Sequence, residues 1–222
     1  MTIMKKLVIF DLDGTLLNTI EDLGTATNVA LKKCGFSTHP LEAYPYFVGN
    51  GIHRLVERAL PDGEKSEQNI TTVLAEFKEY YNAHSSDLTK PYTGIPELLR
   101  RLTECGVKLA VASNKYHQAT VNLINTYFPE IDWADIEGQK PDVPLKPDPS
   151  VVFEILAKVP TRKADVLYVG DSGVDMETAR RACVDSCGVT WGFRPAEELQ
   201  RNYAGHIVSD PAEIYTLVVS EN

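Results

Sequence analysis

Cysteine is scarce and scattered. The four cysteines, Cys34, Cys105, Cys183 and Cys187, form no C-x-x-C pair and no compact cluster with histidine, so neither a zinc site nor a disulfide framework is indicated. Small buried thiols in a reducing cytoplasm are the expectation. Long hydrophobic runs are also missing. Lys5 and Lys6 precede the apolar Leu7–Phe10, but Asp11 ends that run far too early for a secretory segment or a membrane span. Positive charge is in deficit, with 22 lysines and arginines against 31 acidic residues and a net charge of -9. That is the wrong sign for a non-specific hold on nucleic acid or anionic lipid. No long basic or amphipathic stretch points to a macromolecular partner, and repeats, low-complexity tracts and long disordered linkers are absent. A small metabolite is the favoured partner. If it is anionic, a metal or placed lysines and arginines must override the overall field.

What is present is an ordinary globular composition, 43% hydrophobic over 222 residues, enough to bury a substantial core. Short runs rich in Val, Ile and Leu recur at Leu7–Phe10, Val107–Ala112 and Val166–Val169, and more weakly around Val189 and Ile207-Val208. Each reads as a buried strand. Helical spacing fills Ile95–Cys105, Tyr116–Tyr127, Ser150–Lys158, Val174–Cys183 and Pro211–Val219. The alternation predicts an α/β fold, a doubly wound parallel sheet with right-handed crossovers and helices on both faces. Between residues 18 and 87 no strand-like run occurs. Ile20, Leu23, Ala26, Ala30 and Leu31 recur at helical intervals, as do Ile52, Leu55 and Val56, and then Ile70, Val73 and Phe77. The expected division is a first core part at 1–17, a small helical insertion at 18–87 and a second core part at 88–222.

Four short segments carry chemistry. Leu7–Phe10 runs straight into Asp11-Leu12-Asp13-Gly14-Thr15, setting two carboxylates at the carboxyl end of a strand, where open α/β sheets bind ligands. The competing reading of this segment alone is an Asp-Gly turn leaving a strand, the lesser of the two. Ser113-Asn114-Lys115 follows the strand expected to end at Ala112 and opens a helix, so a hydroxyl and free N–H groups are available to phosphate oxygens. Alone it is an N-cap. Lys146 stands between prolines in Pro144-Leu145-Lys146-Pro147-Asp148-Pro149, which limits its backbone. Gly170-Asp171-Ser172-Gly173-Val174-Asp175 then brings two more acids to the same sheet edge after Val166–Val169. A clustered acid pair after a strand has little structural use.

These four elements, in this order, resemble the haloacid dehalogenase superfamily of phosphotransferases over nearly the whole chain. The helical insertion resembles the family's C1 cap. Val48-Gly49-Asn50-Gly51, Leu55–Leu60, Pro91–Leu99 and Gly188–Phe193 look like the phosphoglycolate phosphatases within it. Two positions depart from the pattern: Tyr116 stands where many relatives have Pro, and Cys183 where a Gly commonly follows the helix.

The resemblance implies a phosphomonoesterase acting through an aspartyl phosphate, with 2-phosphoglycolate as the first-choice substrate. Another small sugar or nucleotide monophosphate, or phosphomutase chemistry, is the alternative. A silent binding protein is disfavoured because Asp11, Asp13, Lys146 and Asp171 are all present. By the same resemblance Asp11 is the nucleophile and Asp13 the acid and base. Mg2+ is assigned to Asp11, the Asp13 carbonyl and Asp171, with Asp175 behind them orienting metal waters and Lys146. Lys146 and Ser113 clamp the phosphate, and Thr15 and Asn114 join the substrate-binding set. In the insertion, Asn50-Gly51 at an expected helix start offers N–H groups, and His53 or Arg54 is a candidate for a substrate carboxylate. The same Gly-Asn-Gly serves equally well as a helix stop and start.

Overall fold

The computed structural model describes residues 2–220. The chain opens with β1 (Thr2–Ile3), β2 (Leu7–Phe10) and β3 (Leu17–Asn18). Helices follow: α1 (Ile20–Lys33), α2 (Tyr44–Phe47), α3 (Gly51–Ala59) and α4 (Glu67–His84). After β4 (Lys90–Pro91) helix and strand alternate as α5 (Ile95–Glu104), β5 (Lys108–Tyr116), α6 (His117–Tyr127), β6 (Asp135–Gln139) and α7 (Ser150–Lys158). The chain continues through β7 (Val166–Gly170), α8 (Gly173–Ala182), β8 (Asp185–Val189) and α9 (Ala196–Arg201). It closes with β9 (His206–Val208), α10 (Pro211–Val218) and β10 (Val219–Ser220).

Six of these strands form one parallel sheet in the order β6-β5-β2-β7-β8-β9. All four residues of β2, at its centre, are fully buried. Alternate side chains of a strand point to opposite faces. Val8 and Phe10 accordingly join a cluster with Leu98 and Leu102 of α5 and Ile214 of α10, whereas Leu7 and Ile9 join Val152 and Ile155 of α7 and Ala179 of α8. Covering both faces is why the strand reads as an unbroken apolar run. β5 and β6 lie on one side of β2 and β7 to β9 on the other. The carboxyl end of β2 therefore lies at the switch point where such sheets open a crevice.

Helices α1 to α4 build a second apolar cluster, with Leu23, Tyr44, Leu55, Val73, Phe77 and Tyr81 buried in it and Ala119 of α6 joining from the sheet side. The two chain crossings between these helices and the sheet are stitched together. β3 pairs antiparallel with β4, and buried Asp22 of α1 accepts hydrogen bonds from Leu88 N, Thr89 N and Thr89 Oγ1. No described helix is long and apolar enough to cross a membrane.

Two expectations need correction. Ser113-Asn114-Lys115 does not open a helix: it lies inside β5, which runs on to Tyr116, and α6 begins at His117. The β5–β6 register shifts between Ala112 and Tyr116, so the segment leaves regular pairing without leaving the sheet. The edge strand β6 has no apolar run and was not expected. Its inward Glu137 is 1% exposed and pinned by Lys140 and Lys158.

Candidate active site

Asp11 leaves the end of β2 and is nearly buried. Its Oδ1 accepts from Leu12 N at 2.7 Å and lies 2.9 Å from the Lys146 Nζ. The same ammonium donates to Asp175 Oδ1 at 2.7 Å and to Ala112 O at 2.9 Å, so three acceptors surround it. Asn114 fixes the lysine's backbone on both sides. Lys146 N donates to Asn114 Oδ1 at 2.8 Å, and Asn114 Nδ2 donates to Lys146 O at 3.1 Å. Asn114 Nδ2 also reaches Gly49 O at 3.0 Å, tying the loop before α3 to this centre.

Asp171 comes from the β7–α8 turn and Asp175 from the first turn of α8. Asp175 closes a capping box with Ser172: its Oδ2 accepts from Ser172 N and Oγ at 3.1 and 2.6 Å. Asp171 Oδ2 accepts from Phe193 N at 2.7 Å. Two glycines let the loops close on it. A Cβ at Gly14, where φ is +86°, or at Gly192 would overlap the Asp171 side chain.

One carboxylate oxygen each from Asp11, Asp171 and Asp175 lies within 4.8 Å of the others. Burial, with the Asp175 and Asp13 charges adding to it and Lys146 opposing, pushes Asp11 up to about 7. Asp171 is held well above the usual carboxylate range by burial and by the charges of Asp175 and Asp11. Lys146 is shifted upward, since the two facing carboxylates outweigh the cost of burying it. Three buried oxygen donors with one ammonium among them are a fit for a hard divalent cation, which would relieve the surplus negative charge.

Asp13 faces the other way. Thr19 Oγ1 donates to its Oδ1 at 2.6 Å, and the Lys115 Nζ donates to both its oxygens at 2.9 and 3.1 Å. Lys115 is buried, with its ammonium 4.9 Å from the centre of the Tyr81 ring of α4. Burial alone would lower the Lys115 pKa, but Asp13 and Tyr81 together outweigh it and the pKa rises.

An open-mouthed cleft lies over this centre. Asp11, Asp13, Asp171, Ser113, Asn114 and Gly51 line it, so the sheet motifs and the start of α3 do converge. Other predicted residues stand apart. Thr15 is wholly buried, with no partner for its hydroxyl among the described residues. The Asn50 side chain accepts from Arg58 at 2.8 Å. Arg54 pairs with Glu57 on the exposed side of α3, and His53 lies 3.3 Å from Glu67. The candidates Arg54 and His53 therefore project away from the cavity, the consequence of their helical phase. Instead Arg194, in the loop after β8, lines it beside Phe193. No motif marked Arg194 in the sequence, and Lys115 was seen only as part of its motif.

The sequence model of the haloacid dehalogenase-like hydrolases matches residues 8–189. A phosphoglycolate phosphatase of Pseudomonas putida is 32% identical over 216 residues, 93% of this chain and 77% of its own length. One of Nitrosospira multiformis is 33% identical over 87% of both chains. A crystal structure from Lactobacillus delbrueckii subsp. bulgaricus superposes with a TM-score of 0.90 at 31% identity, covering 97% of this chain and 99% of that one. CbbY of Rhodobacter sphaeroides, solved in complex with phosphate, shares the fold with a TM-score of 0.80 at 20% identity, over 95% of this chain and 96% of that one.

Proposed function

The chain belongs to the haloacid dehalogenase-like hydrolases, and from that premise we propose that it hydrolyses 2-phosphoglycolate through an aspartyl phosphate on Asp11, with Mg2+ as cofactor. One observation carries the reading: three buried carboxylates and the Lys146 ammonium converge at the switch point of the sheet, under an open cleft. The phosphoglycolate phosphatases that align along most of the chain support the choice of substrate.

In this mechanism the Asp11 carboxylate attacks phosphorus in line while the bond to the leaving oxygen breaks, and Asp13 supplies the proton that oxygen takes up. Water then attacks the phosphorus of the acyl phosphate, Asp13 accepts its proton, and inorganic phosphate departs with Asp11 restored. Lys146 and Ser113 hold the phosphoryl oxygens, and Asp175 and Asn114 keep Lys146 in position. Mg2+, held by Asp11, Asp171 and the Asp13 carbonyl, would offset the charge of the phosphoryl group. Residues 18–87 act as a cap over a core made of 1–17 and 88–222, with Gly51 at the start of α3 facing the substrate. Asn50 supports that turn.

Asp13→Ala separates the two half-reactions. p-Nitrophenolate leaves without a proton, so the variant should release a burst of nitrophenol near one equivalent per site. Turnover afterwards should be slower by about 10²- to 10⁴-fold for want of a base. Mass spectrometry of the quenched variant should find the phosphoryl group on Asp11. Wild-type turnover by the variant, or phosphate on another residue, would remove these roles. No phosphate release from 2-phosphoglycolate by the wild-type protein would remove the substrate.

A further inference from the structure

The cavity has two cationic side chains in its lining among the described residues, Lys115 and Arg194. Lys115 is committed, its ammonium bonded to both oxygens of Asp13. Lys146 is enclosed by Asp11, Asp175 and Ala112 O. Arg194 differs in its partners. Its Nη1 donates to Pro45 O and its Nη2 to Val48 O at 2.9 Å, two carbonyls at the end of α2, and its Nε lies 3.7 Å from Glu198. Each terminal nitrogen carries a second N–H, and the guanidinium fork matches a carboxylate in a way backbone carbonyls do not. A charge-assisted bond is roughly twice as strong as one to a neutral carbonyl. The side chain is 13% exposed, so the charge is only partly screened by water.

In the proposed mechanism Asp11, Ser113 and Lys146 meet the phosphoryl group, and the lining cation left to meet a second anion is Arg194. We propose that Arg194 is the specificity residue of the site, gripping the carboxylate of a small phosphorylated carboxylic acid. This rests on the 2-phosphoglycolate reading and gives it the recognition element that Arg54 does not supply. Arg194 comes from the core and its present acceptors come from the helical layer. Capture of the carboxylate is therefore linked to the seating of α2 over the site.

The test compares 2-phosphoglycolate with 2-hydroxyethyl phosphate, which replaces the carboxylate with an alcohol, on wild-type protein, Arg194→Met and Arg194→Lys. The wild type should prefer the acid. Arg194→Met should raise KM for 2-phosphoglycolate about 10- to 100-fold more than KM for the alcohol, the range expected for a lost charged hydrogen bond. The ratio of the two specificity constants should collapse towards one, and Arg194→Lys should recover part of it. A purely structural latch would weaken both substrates equally, which overturns the inference. Should Arg194→Met fail to fold, the lysine variant decides on the same ratio. A wild-type preference that survives in the variants sinks Arg194 alone, whereas a wild type with no preference sinks the substrate reading and this inference with it.

Discussion

Asp11 and Asp171 keep their protons to unusually high pH because burial and neighbouring acids penalise their charged forms. The unfolded chain gives up the Asp11 proton near its ordinary value of 3.8, the folded one at about 7. Across that window the unfolded state binds fewer protons, so without a divalent cation this pair lowers stability as pH rises. A cation favours the ionised carboxylates and releases those protons. The rise in Tm produced by Mg2+ should therefore be larger at about pH 8 than at about pH 5. A Tm shift of the same size at both values would show that these acids do not hold the ion.

The termination of α8 carries a separate consequence for stability. Cys183 caps it in the left-handed conformation, φ +57°, the geometry that favours glycine. Cys183→Gly should raise the urea midpoint by the equivalent of about 0.5–1 kcal/mol; an unchanged or lower midpoint would contradict this. The sequence already showed that a residue other than glycine stood at this helix stop. It also gave the apolar strands and most of the helices, because β2 and β7 are buried on both faces and their side chains state that directly. Less legible were β6, whose inward Glu137 is neutralised by nearby Lys140 and by Lys158 from α7, and the extension of β5 through Ser113–Tyr116. Of the site, the acids were legible because they follow strand ends, and Lys146 because prolines flank it. Arg194 was not, since its position follows from how the β8–α9 loop folds back on α2, and the outward phase of Arg54 follows from where α3 begins.

On the scale of the molecule, the ties between the helical layer and the sheet side include Asn114 to Gly49, Tyr116 to Asn82 at 2.6 Å, and Arg194 to α2. The covalent crossings depend on Asp22. Asp22→Ala leaves the N–H groups of Leu88 and Thr89 without an acceptor, and should cost about 2–3 kcal/mol in urea unfolding. Asp22→Asn should recover part of that loss. A negligible change for alanine would mean that water satisfies these groups and that β3 and β4 hold the crossing alone. Elsewhere the two tryptophans are placed unequally. Trp133 packs edge-on to Phe128, away from the crevice. Trp191 donates through Nε1 to Thr15 O at 3.0 Å, in the turn that carries Asp11 and Asp13. The placement gives the chain an internal optical gauge to be read: indole emission from Trp191 should change as ligands reach the turn, with Trp133 as the comparison.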